Sequence, residues 1–228
     1  KIWVGTDKGL NLYDPEKDRF IRIDEEGLNN TIVYDVYEDA SKTIWVATYN
    51  HGLFKYHKKT GEWVRFNLNA KLTSLCDDNN GNLWIGSDGA GLFRFNFRSR
   101  QLEAYSQIIG LPANVVFGVQ RDDAGLIWAS TNNGIYSIDP VAEKLRHFTR
   151  QDNLQSQQFN YRAFYKASDG MLMAGGIKGF NTFYPERISQ QESLPTVSFT
   201  NFQLFNKTVQ PGEKSPLHDP NLRGAYVG

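Results

Sequence analysis

Apolar residues along this chain fall in short runs separated by clusters of Asp, Asn and Gly. Near its middle the sequence reads Val115-Val116-Phe117-Gly118-Val119-Gln120, a turn, Leu126-Ile127-Trp128-Ala129-Ser130, a turn, Ile135-Tyr136-Ser137-Ile138, a turn, and Leu145-Arg146-His147-Phe148. β-branched and aromatic residues dominate each run, as expected of strands with a buried face. No stretch sustains the helical spacing of apolar residues, so almost no helix is predicted. Asp78-Asn79-Asn80-Gly81, Asp122-Asp123-Ala124-Gly125 and Ser168-Asp169-Gly170 stand between first and second runs. Asp and Asn accept local backbone hydrogen bonds and Gly supplies positive φ, so these are read as hairpin turns. They hold too few carboxylates at ligand spacing for calcium.

The four-run unit repeats. Ile2-Trp3-Val4-Gly5-Thr6 is followed by Gly9-Leu10, Ile44-Trp45-Val46-Ala47-Thr48 by Gly52-Leu53, and Leu83-Trp84-Ile85-Gly86-Ser87 by Gly91-Leu92. Ile127-Trp128-Ala129-Ser130-Thr131 precedes Gly134-Ile135, and a degenerate copy, Leu172-Met173-Ala174-Gly175-Gly176, precedes Gly179-Phe180. The anchors Trp3, Trp45, Trp84, Trp128 and Met173 lie 42, 39, 44 and 45 residues apart. Four antiparallel strands at that period predict the blades of a β-propeller, an all-β fold of about five four-stranded repeats. Each anchor Trp has apolar neighbours in mid-strand, which suits packing between blades rather than a sugar platform. The first copy lacks an innermost strand. The chain also opens mid-element, as expected of a piece of something longer.

Composition narrows the partners. Hydrophobic residues make up 40% and aromatics 14%, ample for a core, and 25 basic residues balance 25 acidic ones. No net charge draws nucleic acid or an anionic membrane. The single cysteine, Cys76, excludes an internal disulfide, and its apolar setting predicts a buried thiol. No apolar run reaches the length that spans a bilayer. The four histidines, at 51, 57, 147 and 218, show no metal spacing and none neighbours a nucleophile. No metal, cofactor or catalytic residue is expected.

The phrase Asn80-Gly81-Asn82-Leu83-Trp84-Ile85-Gly86-Ser87-Asp88-Gly89-Ala90-Gly91-Leu92-Phe93-Arg94-Phe95 resembles the two-component regulator propeller repeat, and Gly110-Leu111-Pro112-Ala113-Asn114-Val115-Val116 fits the start of one of its blades. Pro195-Thr196-Val197-Ser198-Phe199-Thr200-Asn201-Phe202-Gln203-Leu204-Phe205-Asn206-Lys207 resembles the opening of the tyrosine-rich β-sandwich that follows such propellers. The resemblance implies the periplasmic sensor region of a hybrid histidine kinase, on an inner-membrane receptor of glycan-degrading Gram-negative bacteria. It implies residues 1–190 as part of a seven-bladed propeller and 191–228 as linker and first sandwich strands. Met173 in place of Trp, and the lack of any kinase motif, are departures from the whole-family pattern. Blades cut from a larger ring leave apolar faces that other blades, the sandwich of the same receptor or a second copy would cover, and a homodimer is expected.

Loops after the second strands and between blades emerge on one face, where propellers commonly bind ligands. Among them Tyr49, His51, Tyr161, Arg162 and Lys178 are the residues that turn geometry explains least, and they are the candidate ligand-binding set. Such groups hydrogen-bond sugar hydroxyls or pair with a carboxylate or sulfate. The function expected is recognition of a polysaccharide-derived oligosaccharide, signalled across the membrane to control transcription. A dimerising scaffold with its ligand site elsewhere is the alternative. A propeller lyase or glycosidase is a further one, but only Asp7 and Asp88 offer carboxylates in these loops.

Overall fold

The computed structural model describes residues 1–188 and, beyond them, only a pair of two-residue strands, Gln203–Leu204 with Lys207–Thr208. The chain divides into two units, Lys1–Ile188 and Ser189–Gly228. Apart from that strand pair, the expected start of a sandwich lies outside the described residues.

The first unit holds five antiparallel sheets in chain order. Blade 1 is β1 (Ile2–Thr6), β2 (Gly9–Asp14) and β3 (Arg19–Arg22). Blade 2 is β4 (Val33–Glu38), β5 (Ile44–Thr48), β6 (Leu53–His57) and β7 (Glu62–Phe66). Blade 3 is β8 (Lys71–Asp77), β9 (Asn82–Asp88), β10 (Leu92–Asn96) and β11 (Leu102–Glu103). Blade 4 is β12 (Val116–Arg121), β13 (Ile127–Thr131), β14 (Gly134–Asp139) and β15 (Lys144–Phe148). Blade 5 is β16 (Phe159–Lys166), β17 (Leu172–Gly176) and β18 (Gly179–Phe183). The propeller reading holds, and blade 1 has three strands among the described residues. Blade 5 shows three strands among the described residues instead of four. Its chain leaves β18 through a 3₁₀ turn at Pro185–Arg187, where proline has no N–H for a ladder. Among the described residues one α-helical turn, α1 (Tyr105–Ile108), interrupts the chain between blades 3 and 4.

The core lies between blades, and the repeated Trp builds it. Trp45 packs from blade 2 against Phe95 and Phe97 of blade 3. Trp84 faces the blade 4 residues Val119, Ile127 and Ala129, and Trp128 faces Phe164 and Leu172 of blade 5. Trp3 does the same toward Tyr56 and Trp63 of blade 2. Every anchor Trp thus reaches forward to the next blade.

The turn aspartates do more than turn the chain. Asp39, Asp78 and Asp122 are buried, and each carboxylate accepts the indole N–H of the Trp six residues on, at 2.8, 3.2 and 2.8 Å. The same carboxylates take backbone amides of their own hairpins, such as Thr43 N at 2.9 Å and Leu126 N at 2.9 Å. One residue therefore satisfies both a turn and a buried ring nitrogen that would otherwise be orphaned. Blade 5 has Ala167 at this place, together with Met173 in place of Trp. Donor and acceptor are absent together.

A second repeated device closes the next hairpin. In blades 1 to 4 the last hydroxyl of the second strand, on Thr6, Thr48, Ser87 and Thr131, donates to the carbonyl of Gly9, Gly52, Gly91 and Gly134 at 2.7–2.9 Å. These glycines cannot be replaced cheaply. Gly134 has φ +89°, and a Cβ there would stand 2.2 Å from the carbonyl oxygen of Phe148.

The end blades differ from the rest. β5 and β13 are buried along their whole length, whereas β1 and β17 are not. The outward side of blade 1 exposes Ile2 and Phe20, and that of blade 5 exposes Tyr165 and Phe180, the last at 69%.

Candidate functional site

Four inner strands, β4, β8, β12 and β16, line the centre of the propeller, and each carries a β-bulge against its neighbour. Register slips between Val33 and Asp35, between Leu72 and Ser74, between Val116 and Gly118, and between Phe159 and Phe164. A bulge leaves the extra residue out of the ladder and re-aims its side chain. Tyr34, Thr73 and Phe117 are the extra residues in the first three. The fourth bulge is longer and holds Tyr161 and Arg162, with Arg162 at φ +58°. Sequence reading placed these two in a blade-to-blade loop. They lie within β16, because the bulge breaks the alternation by which a strand is recognised.

Inner strands of neighbouring blades share no backbone ladder, so polar side chains bridge them. Asp35 of β4 accepts the amide of Leu75 in β8 at 2.7 Å, and Ser74 of β8 accepts that of Val119 in β12 at 3.1 Å. Gln120 of β12 donates to the carbonyl of Phe164 in β16 at 3.2 Å. Arg162 of β16 then donates from Nη2 to the carbonyl of Val33 in β4 at 2.5 Å, 129 residues away. The four bonds form a circuit that returns to its starting strand.

The bulged side chains gather beside it. The Tyr34 ring lies 5.4 Å from that of Tyr161 and 6.1 Å from that of Tyr49, and the Arg162 guanidinium lies 5.0 Å over Tyr34. Phe117 meets Tyr161 edge-on at 4.7 Å. Tyr161 donates its hydroxyl to Asp88 at 3.0 Å, and Lys71 lies 3.7 Å from the same carboxylate and 5.0 Å over the Tyr49 ring. Burial, then the Asp88 carboxylate, pushes the Tyr161 hydroxyl up to about 12, so it stays a donor at neutral pH. The result is a half-exposed aromatic wall edged by hydroxyl, ammonium and guanidinium groups, a surface that can stack on a ring and hydrogen-bond its substituents.

Comparison with known proteins identifies the repeat. The family described as "Two component regulator propeller" matches residues 27–50 and 68–89, which hold the inner strands of blades 2 and 3. Those two segments match the two-component regulator propeller repeat. This propeller is 24% identical to histidine kinase P4 of Formosa agariphila, over 92% of the chain and 16% of that protein. It superimposes with TM-score 0.67 at 22% identity on the extracellular domain of BT4673 from B. thetaiotaomicron, described as a hybrid two component system, covering 79% of this chain and 25% of that one. A gluconolactonase of Xanthomonas campestris shares the fold at TM-score 0.60 and 11% identity, over 78% of this chain and 65% of the enzyme. The propeller spans about a sixth of the curated relative's length and a quarter of the BT4673 domain's chain.

Of the five candidate residues, the propeller brings Tyr49, Tyr161 and Arg162 together. His51 stands elsewhere, its carbonyl accepting from Arg65 Nε at 2.9 Å. Lys178 sits in the β17–β18 turn, its amide held by Gln155 at 2.8 Å. Tyr34, Lys71, Asp88 and Phe117 belong to the cluster and were not among the candidates. A polar or aromatic residue at the same place early in each blade was the available signal, and a repeat search keyed on Trp passes over it.

Asp35 is the most perturbed acid of the circuit. Enclosure among the inner strands raises its carboxyl from 3.8 to about 6, against the lowering effect of the Leu75 and Val36 amides, Ser74 and Arg162. The folded protein therefore holds this proton more tightly than the unfolded chain. Its contribution is fully present below about pH 4 and is lost as pH rises through about 6. Because Asp35 keeps some accessible surface, the unfolding free energy of the wild type relative to Asp35→Asn is expected to fall by on the order of 2 kcal/mol from pH 3.5 to 7.5. Denaturant unfolding at several pH values measures it. A difference that stays flat with pH removes the raised carboxyl from the account.

Proposed function

We propose that this propeller is the ligand-recognition part of a hybrid two-component receptor, placed on the periplasmic side of an inner membrane, and that it binds a polysaccharide-derived oligosaccharide at the mouth formed by Tyr34, Tyr49, Tyr161 and Arg162. The observation that carries this reading is the bulge-built aromatic wall, with hydroxyl and cationic donors at its edge, on a chain of two-component regulator repeats. Sugar rings offer apolar faces and hydroxyl rims, which such a wall matches. A catalytic role has less support. Asp88 is committed to Tyr161 and Lys71, and no second carboxylate faces it within ion-pair reach of the same groups among the described residues.

The exposed outward faces of blades 1 and 5 fit cover by other blades of the same receptor, and a dimer would place two such units side by side. A bound ligand shifts a receptor only by its different affinity for two states. The circuit Asp35–Ser74–Gln120–Arg162 is an element through which a ligand at the mouth could bias the spacing of blades 2 and 5.

Calorimetric titration of a panel of neutral and acidic oligosaccharides tests the reading. At least one member is expected to bind, and Tyr161→Ala is expected to weaken it by about tenfold or more, the loss of roughly 1.4 kcal/mol of stacking. Silence across the panel would turn the propeller into a scaffold.

A further inference from the structure

We infer that Arg162 selects the charge of the ligand: the mouth takes an acidic saccharide, held through a carboxylate or a sulfate, in preference to a neutral one. The inference rests on the glycan-binding reading above and adds the chemical class.

The argument starts from the two cations of the cluster. Lys71 is matched, with the Asp88 carboxylate at 3.7 Å. Arg162 is not: among the described residues no carboxylate oxygen lies within ion-pair distance of its guanidinium. Its one hydrogen bond uses Nη2 on the Val33 carbonyl, out of the five N–H groups a guanidinium carries. Neither nearby carboxylate makes an ion pair with it, although the Asp35 charge is close enough to be felt. Asp88 takes Tyr161 and Lys71, and Asp35 takes the Leu75 amide.

Position also matters. The long bulge in β16 sets Arg162 in left-handed backbone, which no β ladder requires and which a non-glycine residue adopts at a cost. The side chain then lies on the Tyr34 face, with Tyr161 adjacent in the chain and in space. With Nη2 on the Val33 carbonyl and its central carbon 5.0 Å over the Tyr34 ring, the fork keeps its other N–H groups beside the aromatic wall. Those groups match the two oxygens of a carboxylate or sulfate whose sugar ring stacks on the tyrosines. A lysine would supply the charge without the fork.

The probes are an oligogalacturonate, its carboxyl-reduced neutral counterpart and a sulfated oligosaccharide of the same backbone, titrated into the intact protein. The acidic probes are expected to bind about tenfold or more tightly than the neutral one, with the margin shrinking as salt rises. Whichever acid binds better names the group, uronate or sulfate. Arg162→Gln is expected to weaken the acidic probes far more than the neutral one, so that the margin disappears, and Arg162→Lys to restore only part of it. Arg162 also closes the circuit to Val33, so folding of both variants is checked by circular dichroism. The lysine variant, which keeps a donor there, carries the test where the glutamine variant does not fold. Equal affinity for acidic and neutral probes in the wild type, or a margin that survives in a folded Arg162 variant, overturns the inference while the glycan reading stands. Failure of every probe to bind overturns both.

Discussion

Trp45→Ala is expected to destabilise the propeller by about 4 kcal/mol, the range found when a buried aromatic is cut back and its cavity only partly collapses. Trp45 has no exposed surface and is the largest side chain at the junction of blades 2 and 3. Its ring lies 5.5 Å from Phe95 and from Phe97 and 6.0 Å from Phe66, with the Lys55 ammonium 5.1 Å over it. Removing it strips one side from three other rings at once, and none of them is long or flexible enough to fill the space. The companion is Met173→Ala. Met173 stands at the same place in the last repeat, but it is only half-buried and lies on the outward side of blade 5, so its truncation is expected to cost about 1 kcal/mol or less. Denaturant midpoints for both variants read the contrast. Equal losses would mean that the anchor residue works through strand propensity and not through the blade ahead of it.

Asp78→Ala is the second large effect, at about 3 kcal/mol. Asp78 accepts four hydrogen bonds: from the backbone of Asn80 at 2.8 Å and of Asn82 at 3.0 Å, from the Asn82 side chain at 2.6 Å, and from the Trp84 indole at 3.2 Å. Alanine opens the hairpin and leaves the indole N–H buried without an acceptor, which costs more than the loss of an exposed bond. Asp78→Asn keeps an acceptor oxygen and is expected to lose less. The decisive comparison is a cycle with Trp84→Phe, which removes the donor. Asp78→Ala is expected to cost at least about 1 kcal/mol less in that background, the coupling of residues in direct contact. Strict additivity would reduce Asp78 to a turn residue.

That pair also shows how the sequence informs and misleads. The turn chemistry of Asp78 and Asp122 was legible, because an acid followed by Asn or Gly between two apolar runs has a local explanation, whereas Asp39, followed by Ala40-Ser41-Lys42, lacks that signal. The six-residue step from each Asp to its Trp was in plain view as well. Its meaning was not, because hairpin geometry decides whether a side chain on the adjoining strand turns toward the carboxylate. Tyr161 and Arg162 show the opposite case. They were picked as binding candidates, yet were placed in a loop, because four residues of β16 between its paired positions, Asn160 to Ala163, interrupt the period-two pattern.

What the sequence determined by itself is what local chemistry determines: the blade period, the strands within each repeat, the hairpins and the interblade Trp. Neighbouring strands in a blade are joined by short turns, so their register follows from residues close together in the chain. The tertiary structure alone decided the site. Val33 and Arg162 meet across 129 residues and Asp88 and Tyr161 across 73, because successive blades bring their inner strands around a common centre. Which side chains face that centre depends on where each bulge falls, and a bulge is a property of two paired strands that neither strand's sequence states alone.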